Sequence, residues 1–242
     1  MKILLSWLRE LAPTDLAAED LAELITPWGV KVEQVLSPWE GLEGVVVARV
    51  LEVRDHPRSD TLCLARIAHG TGEIELVVGV RNMVPGDLVP WAPPGSRVPA
   101  LAEPLTPREI RGVVSNGMLC SPRELGIGQQ HEGILVFAEP RLDVGDDVKS
   151  ALGLDDAVLD IEVEPNRPDF LSVLGVAREV AAATGVPLRT PDLAVPETDE
   201  RAADVATVRI EAPEACPRYV ARVLRGVRET RSPLRVQARL TA

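Results

Sequence analysis

The stretch from Leu42 to Val148 constrains the fold more than any other. It opens on an apolar run, Val45-Val46-Val47-Ala48, and turns at His56-Pro57. It carries a Gly- and Pro-dense middle from Val84 to Pro107. It closes on Ser115-Asn116-Gly117-Met118-Leu119-Cys120-Ser121 and His131-Glu132-Gly133-Ile134-Leu135. Short runs rich in β-branched residues, bounded by polar turns, read as strands. That pattern predicts strands over 45–53, 62–67, 74–78, 88–91, 110–113 and 134–137. Gly70-Thr71-Gly72 forms a hairpin turn, and 79–87 a loop. The prolines and glycines between Ala92 and Pro107 favour edge or loop geometry. Ser121 can cap a helical turn, with Pro122 at its first position and Glu124 at its third. About five or six short strands with one small helix predict a small closed or nearly closed barrel, and an OB-type barrel fits.

The flanks have helical patterning. Ser6 caps a short helix through Leu11, and Pro13 breaks it. Thr14 or Asp15 caps a second, Leu16–Ile25, whose Leu16, Leu21, Leu24 and Ile25 fall near one face; Pro27 and Gly29 stop it. Val30, Val32 and Val35 suggest a strand. After the insertion, 158–163 alternates as a strand. Asp169 then caps a helix from Phe170 to Thr184, with Gly185 at its end and Pro187 beyond. Neither helical piece can bury its apolar face alone. We therefore expect residues 1–40 and 151–190 to form one split helical domain, with 41–150 inserted into it. Residues 191–206 are Pro- and acid-rich and read as a linker. Val208–Ile210 and Cys216–Leu224 read as strands, and Ser232-Pro233 opens a helix within which the sequence stops. Residues 207–242 thus read as the truncated start of a further α/β domain, in an α+β multidomain chain.

Composition excludes several functions. With 45% apolar residues the chain can build cores, but aromatics are only 3%. No apolar run is long enough for a membrane span, and the N-terminal apolar patch meets Arg9 and Glu10 too soon for a secretory signal. A cytoplasmic protein is expected, without a membrane partner. The three cysteines, Cys63, Cys120 and Cys216, are far apart with no CxxC pair, which argues against a zinc site or a disulfide framework. No phosphate loop, HExxH or GxSxG motif occurs, and no base lies near Cys63 or Cys120 in sequence, so no catalytic or metal residue is assigned. The net charge of −11 argues against a sequence-independent grip on nucleic acid, DNA included, but not against a local RNA contact.

Several segments, in this order, resemble the N-terminal part of the bacterial phenylalanyl-tRNA synthetase β-subunit family. They are Val46-Val47-Ala48-Arg49-Val50, His56-Pro57-Arg58-Ser59-Asp60-Thr61-Leu62, the run from Gly112 to Ser121, the run from Pro165 to Glu179, and Cys216-Pro217-Arg218-Tyr219. The resemblance implies an OB-type tRNA-binding domain inserted into a small helical domain, followed by an editing domain after Ser232-Pro233-Leu234. It implies tRNA, a synthetase α subunit and the remainder of the β subunit as partners, and ATP and Mg as cofactors of the whole enzyme only. The family subunit is several times longer, and the aminoacylation site lies in the α subunit. This chain alone is therefore expected to be non-catalytic. Arg235 departs from the family, which usually has an aromatic residue there.

The candidate RNA contacts are Arg49, His56, Arg58, Arg81, Arg111, Ser115, Asn116, Ser121 and Arg123. Arginines could meet phosphates, and the Ser115–Ser121 segment could offer hydroxyls and backbone N–H groups. Arg54, Arg66 and Arg108 are further cations of the insertion. Against them, residues 40–151 hold eleven Lys/Arg and sixteen Asp/Glu, so a scattered solvated surface is the alternative for most. For His56-Pro57 the alternative is a turn that fixes the exit of the first barrel strand. For Ser115–Ser121 it is a turn with Gly117 at a special dihedral. Asn166-Arg167-Pro168-Asp169 reads as a helix start, not a reactive site. Two other roles are open: a free-standing OB-type tRNA-binding adaptor, or a structural scaffold.

Overall fold

The structure, a computed structural model, describes residues 1–138 and 141–242. The chain divides into two compact units, Met1–Arg189 together with Pro233–Ala242, and Thr190–Ser232. In the first unit β1 (Lys2–Leu4) runs directly into α1 (Leu5–Leu11). Then come α2 (Ala18–Ile25) and β2 (Val32–Leu36). Next are β3 (Val46–His56), β4 (Ser59–Ala68), β5 (Glu73–Val78), β6 (Leu88–Ala92), β7 (Arg108–Ile110), β8 (Val113–Ser115) and β9 (Met118–Leu119). The short helix α3 (Val148–Ala151), β10 (Val158–Ile161) and α4 (Val173–Thr184) follow. The second unit contains α5 (Ala202–Val205), and α6 (Leu234–Thr241) belongs to the first.

The sequence before and after the insertion meets in one antiparallel sheet of order β1-β10-β2. Leu159 pairs with Ile3 on one side and Val35 on the other. A strand from beyond the insertion therefore completes two strands from before it. α1, α2 and α4 bury Leu5, Leu8, Leu21, Ile25, Val176 and Val180 together with Ile3, Leu159, Ile161 and Phe170. Full burial of each large side chain there stabilises the fold by about 1.5–3 kcal/mol before entropy is counted.

Three helix starts differ from the sequence reading. Ser6 does not cap α1 but lies inside it; the N-cap is Leu4, without a side-chain bond, and the Ser6 hydroxyl donates to Asp156 at 2.5 Å. Neither Thr14 nor Asp15 caps α2; its N-cap is Ala17, without a side-chain bond. The Thr14 hydroxyl instead accepts the Leu16 N–H, and Arg9 donates to the carbonyls of Thr14 and Leu16, so the segment is fixed from α1. Asp169 does not cap α4. Pro168–Leu171 forms a 3-10 turn, and the Ser172 hydroxyl accepts the Gly175 N–H at 3.0 Å. The 3-10 turn takes Phe170 and Leu171 out of the predicted helix, which starts at Val173 after its Ser172 cap, and Gly185 closes it at φ 74° as expected.

The insertion is a five-stranded antiparallel sheet of order β5-β4-β3-β6-β9 with a separate β7–β8 hairpin. The sheet is open: among the described residues no ladder joins β5 to β9. Register shifts in β3 after Val50 and Asp55 bend it. Ala48, Val50, Ala65, Ile67, Leu76 and Val89 line one core. Val45 and Val47 enter another, which also holds Leu4 and Val158 of the first sheet and Leu234 and Ala238 of α6. The expected last strand, 134–137, is reduced to an isolated bridge between Phe137 and Leu88. The expected strands Val208–Ile210 and Cys216–Leu224 are not strands, and α5 lies within the expected linker.

Candidate nucleic-acid interface

The β3–β4 and β7–β8 hairpins are joined by one imidazole. His56 is buried at the end of β3. Its Nδ1 accepts the backbone N–H of Arg58 at 3.1 Å, and its Nε2 lies 3.3 Å from the Ile110 carbonyl. A backbone N–H can only donate, so the ring proton sits on Nε2 and is donated to Ile110. The turn expected at His56-Pro57 is Pro57-Arg58, with His56 still in β3. The expected strand 110–113 is instead a two-residue turn, Arg111-Gly112, between β7 and β8. Arg111 has φ 48° and Gly112 φ 78°, both positive as a tight type I′ hairpin requires. The missed signal was a two-residue turn ending in glycine between Ile110 and Val113. The Arg58 guanidinium lies over Gly112, where a Cβ would come within 2.2 Å of Nη1. Arg58 and Arg111 are both exposed at this tip.

The Ser115–Ser121 segment is turned inward. The buried Ser115 hydroxyl accepts the Val77 N–H at 3.1 Å and donates to the Gly117 carbonyl at 3.1 Å. Half-buried Asn116 offers its carbonyl to Trp91 Nε1 at 3.2 Å. Gly117 sits at φ 104°, and the Ala92 carbonyl oxygen would lie 2.3 Å from any Cβ there, so the position demands glycine on both counts. Ser121 is buried, and its hydroxyl and N–H bind Glu124 while Glu124 N–H returns to it at 3.4 Å. This is the capping box read from the sequence, closing a turn. Asn82, not singled out from sequence, clamps Ile134 by donating to its carbonyl at 2.7 Å and accepting its N–H at 3.0 Å.

The remaining candidates are cations. Arg81 pairs with Asp55 at 2.7 Å and donates to the Leu62 carbonyl, and Arg49 donates to the Gly86 carbonyl at 3.2 Å. Arg54, Arg66 and Arg97 also have carboxylate partners. Arg58, Arg108, Arg111 and Arg123 have none among the described residues. The structure brings Arg58, Arg111 and His56 together; Arg123 lies apart on the turn after β9, exposed. Burial pushes the Cys63 and Cys120 thiols up, so neither is primed as a nucleophile. Among the described residues no group of three or more His, Cys, Asp and Glu could hold a metal ion.

Residues 45–147, from the entry into β3 to the start of α3, match the family described as "Putative tRNA binding domain". Over 242 residues the whole chain is 39% identical to the phenylalanine–tRNA ligase beta subunit of Syntrophus aciditrophicus, covering 30% of it. It is 43% identical to that of Anaeromyxobacter dehalogenans, over 99% of the chain and 30% of the relative. With the Thermotoga maritima subunit it shares 40% identity, over 100% of the chain and 30% of the relative. The chain corresponds to the N-terminal part of these β subunits. It spans about 30% of the length of the curated relatives it matches. The match runs through the flanks as well as the insertion, so it covers the β1-β10-β2 sheet along with the tRNA-binding family region. No helix among the described residues is long and apolar enough to cross a membrane.

Proposed function

We propose that this chain is the tRNA-binding and assembly portion of a phenylalanine–tRNA ligase β subunit, acting in the cytoplasm within an enzyme that attaches phenylalanine to its tRNA. The match of residues 45–147 to a tRNA-binding family, inside a chain that matches β subunits throughout, carries this reading. In it, residues 41–150 are an OB-type barrel whose sheet curls so that the Ser115 hydroxyl takes the Val77 N–H of edge strand β5. Residues 1–40 and 151–190 form the split domain that holds the barrel. The shared core of Leu4, Val45, Val47 and Val158 supports a rigid mounting. The split domain and α6 offer surfaces for the α subunit and the rest of the β subunit. The chain by itself carries no charging or editing chemistry.

RNA contact in this reading is accessory. The insertion is acidic, and its aromatics Trp91 and Phe137 are buried, which removes base stacking as a source of affinity. Titrating the chain with tRNA at 50 mM and 200 mM salt tests this. Weak binding that fades steeply with salt is expected, and absence of binding at the lower salt rejects RNA binding by this chain. Co-purification with a synthetase α subunit tests the assembly role separately.

A further inference from the structure

We infer that the tips of the β3–β4 and β7–β8 hairpins form one phosphate-binding knuckle, with Arg58 and Arg111 as its cations and the tRNA sugar–phosphate backbone as its ligand. The inference rests on the tRNA-binding reading and names the part of the surface that makes the contact.

Three observations converge on the knuckle. The first is charge. Residues 40–151 contain more carboxylates than cations, and Arg54, Arg66, Arg81 and Arg97 all find partners among them. Among the described residues Arg58, Arg108, Arg111 and Arg123 do not; of these, Arg58 and Arg111 meet at one tip, unpaired although Asp60 and Glu109 lie two residues away in sequence and are exposed. Two guanidinium groups kept at one tip without a counter-ion repel each other, and an external anion removes that repulsion. The second is backbone geometry. Arg111, at φ 48°, is the one non-glycine residue with positive φ among the described residues. A type I′ turn favours Asn or Gly at that place, and a long side chain there is disfavoured. Arginine stands here where a smaller residue would fold better, and backbone strain of this kind clusters at binding sites.

The third observation is rigidity. His56 bonds to both hairpins, at the Arg58 N–H and the Ile110 carbonyl, so a buried imidazole ties one tip to the other. Gly112 leaves room for the Arg58 guanidinium to lie on the turn beside Arg111. Arg58 thus reaches the turn that carries Arg111, and two planar forks on one tip suit neighbouring phosphates, since each fork can give two parallel hydrogen bonds. With no exposed aromatic residue in the insertion beyond Glu40, the contact positions the RNA without reading its bases. His56 is then a positioning residue and Arg58 and Arg111 the contacting ones.

The test uses the full chain and unfractionated bacterial tRNA, titrated from 50 to 200 mM salt. Wild type is compared with Arg58→Ala, Arg111→Gly, the double variant, and Arg58→Lys/Arg111→Lys. Each lost phosphate contact should flatten the plot of log affinity against log salt by about 0.7–0.9. The double variant should flatten it by about 1.4–1.8 and bind roughly tenfold more weakly at 50 mM salt. The double Lys variant keeps the charge, so it should restore the slope while recovering only part of the affinity. Arg111→Gly relaxes the turn, so its melting temperature should stay level or rise while binding falls, separating lost contact from lost fold. If wild type binds and the double variant keeps its slope and affinity, the knuckle is wrong and the tRNA-binding reading stands. If wild type does not bind at 50 mM salt, both are overturned.

Discussion

The same sequence pattern has opposite outcomes in two regions of this chain. In β3 and β4 the alternation places Val47, Val50 and Ile67 in cores, at 1% exposure or less. In the unit Thr190–Ser232, Val208, Ile210, Tyr219, Val220 and Leu224 also sit in β-favouring runs, yet they are exposed and form no strand. The difference is pairing. β3 has β4 on one side and β6 on the other, and β4 has β5 beyond it. Among the described residues, 207–231 pairs with no strand. β-propensity describes fit to a pleated, half-buried surface, and it creates no strand where no neighbour supplies that surface.

Amide hydrogen exchange should show this contrast at its largest. Amides of the β3–β4 ladder open only through large-scale unfolding, whereas those of 207–224 lack ladder bonds. Exchange at Ile67 should be slower than at Ile210 by on the order of a thousandfold or more. Comparable protection at both would mean that 207–224 is paired in solution and would remove the contrast.

Core substitutions come next in size. Phe170 is fully buried against Ile161 and Val176, in the core that unites the two halves of the split sheet. Phe170→Ala should cost about 3–5 kcal/mol in denaturant unfolding. Leu224→Ala, at 73% exposure, should change stability by less than about 0.5 kcal/mol. A large cost at Leu224 would show that this residue is buried in solution.

Glycine substitutions sharpen the comparison at a single-residue scale. Gly117 and Gly226 both have positive φ, at 104° and 69°. A Cβ at Gly117 would meet the Ala92 carbonyl oxygen at 2.3 Å and Trp91 Nε1 at 2.7 Å, while one at Gly226 meets nothing within 4 Å. Gly226→Ala should therefore cost only the backbone penalty, about 1 kcal/mol. Gly117→Ala should add a steric clash and exceed about 2 kcal/mol, read from the shift in unfolding midpoint.

These positions also mark how far the sequence could be read. Strands near β2 and β10 were legible from their alternation, but their pairing with β1 in one sheet was not, because β10 lies more than a hundred residues beyond β2. The capping box at Ser121 and the special dihedral at Gly117 were legible because turn chemistry is local. The roles of His56 and Ser115 were not, because their hydrogen-bond partners, Ile110 and Val77, are 54 and 38 residues away. The Arg111-Gly112 turn was hidden by the β-branched residue on each side, which made 110–113 look like one strand. Of the candidate site, sequence named Arg58 and Arg111 among nine residues. It could not single them out, because the carboxylates that occupy Arg54, Arg66 and Arg81 come from other strands or from beyond them.

The smallest predicted contrast separates two arginine ion pairs. Arg167 gives Asp169 two bonds, at 3.1 and 2.9 Å, reaches Glu179 at 2.7 Å and lies 3.7 Å from the centre of the Phe170 ring. In the other unit Arg225 binds Glu200 at 2.6 and 2.7 Å with no further partner among the described residues, and its side chain is 63% exposed. The Arg167 bonds, first of all, hold the Asp169 carboxyl below its usual range. A carboxylate whose folded pKa lies below its unfolded value of about 3.9 stabilises the fold above that value, and the effect is lost as pH falls through the folded pKa. The stability gap between wild type and Asp169→Asn should thus be constant above about pH 5 and shrink as pH drops below about 4. Glu200→Gln should stay within about 0.5 kcal/mol of wild type at neutral pH, because an exposed pair contributes little. A gap at Asp169 that persists undiminished at pH 2 would mean that its charge is not what Arg167 recognises, and the advantage of the Arg167 cluster over the Arg225 pair would then rest on packing against Phe170 alone.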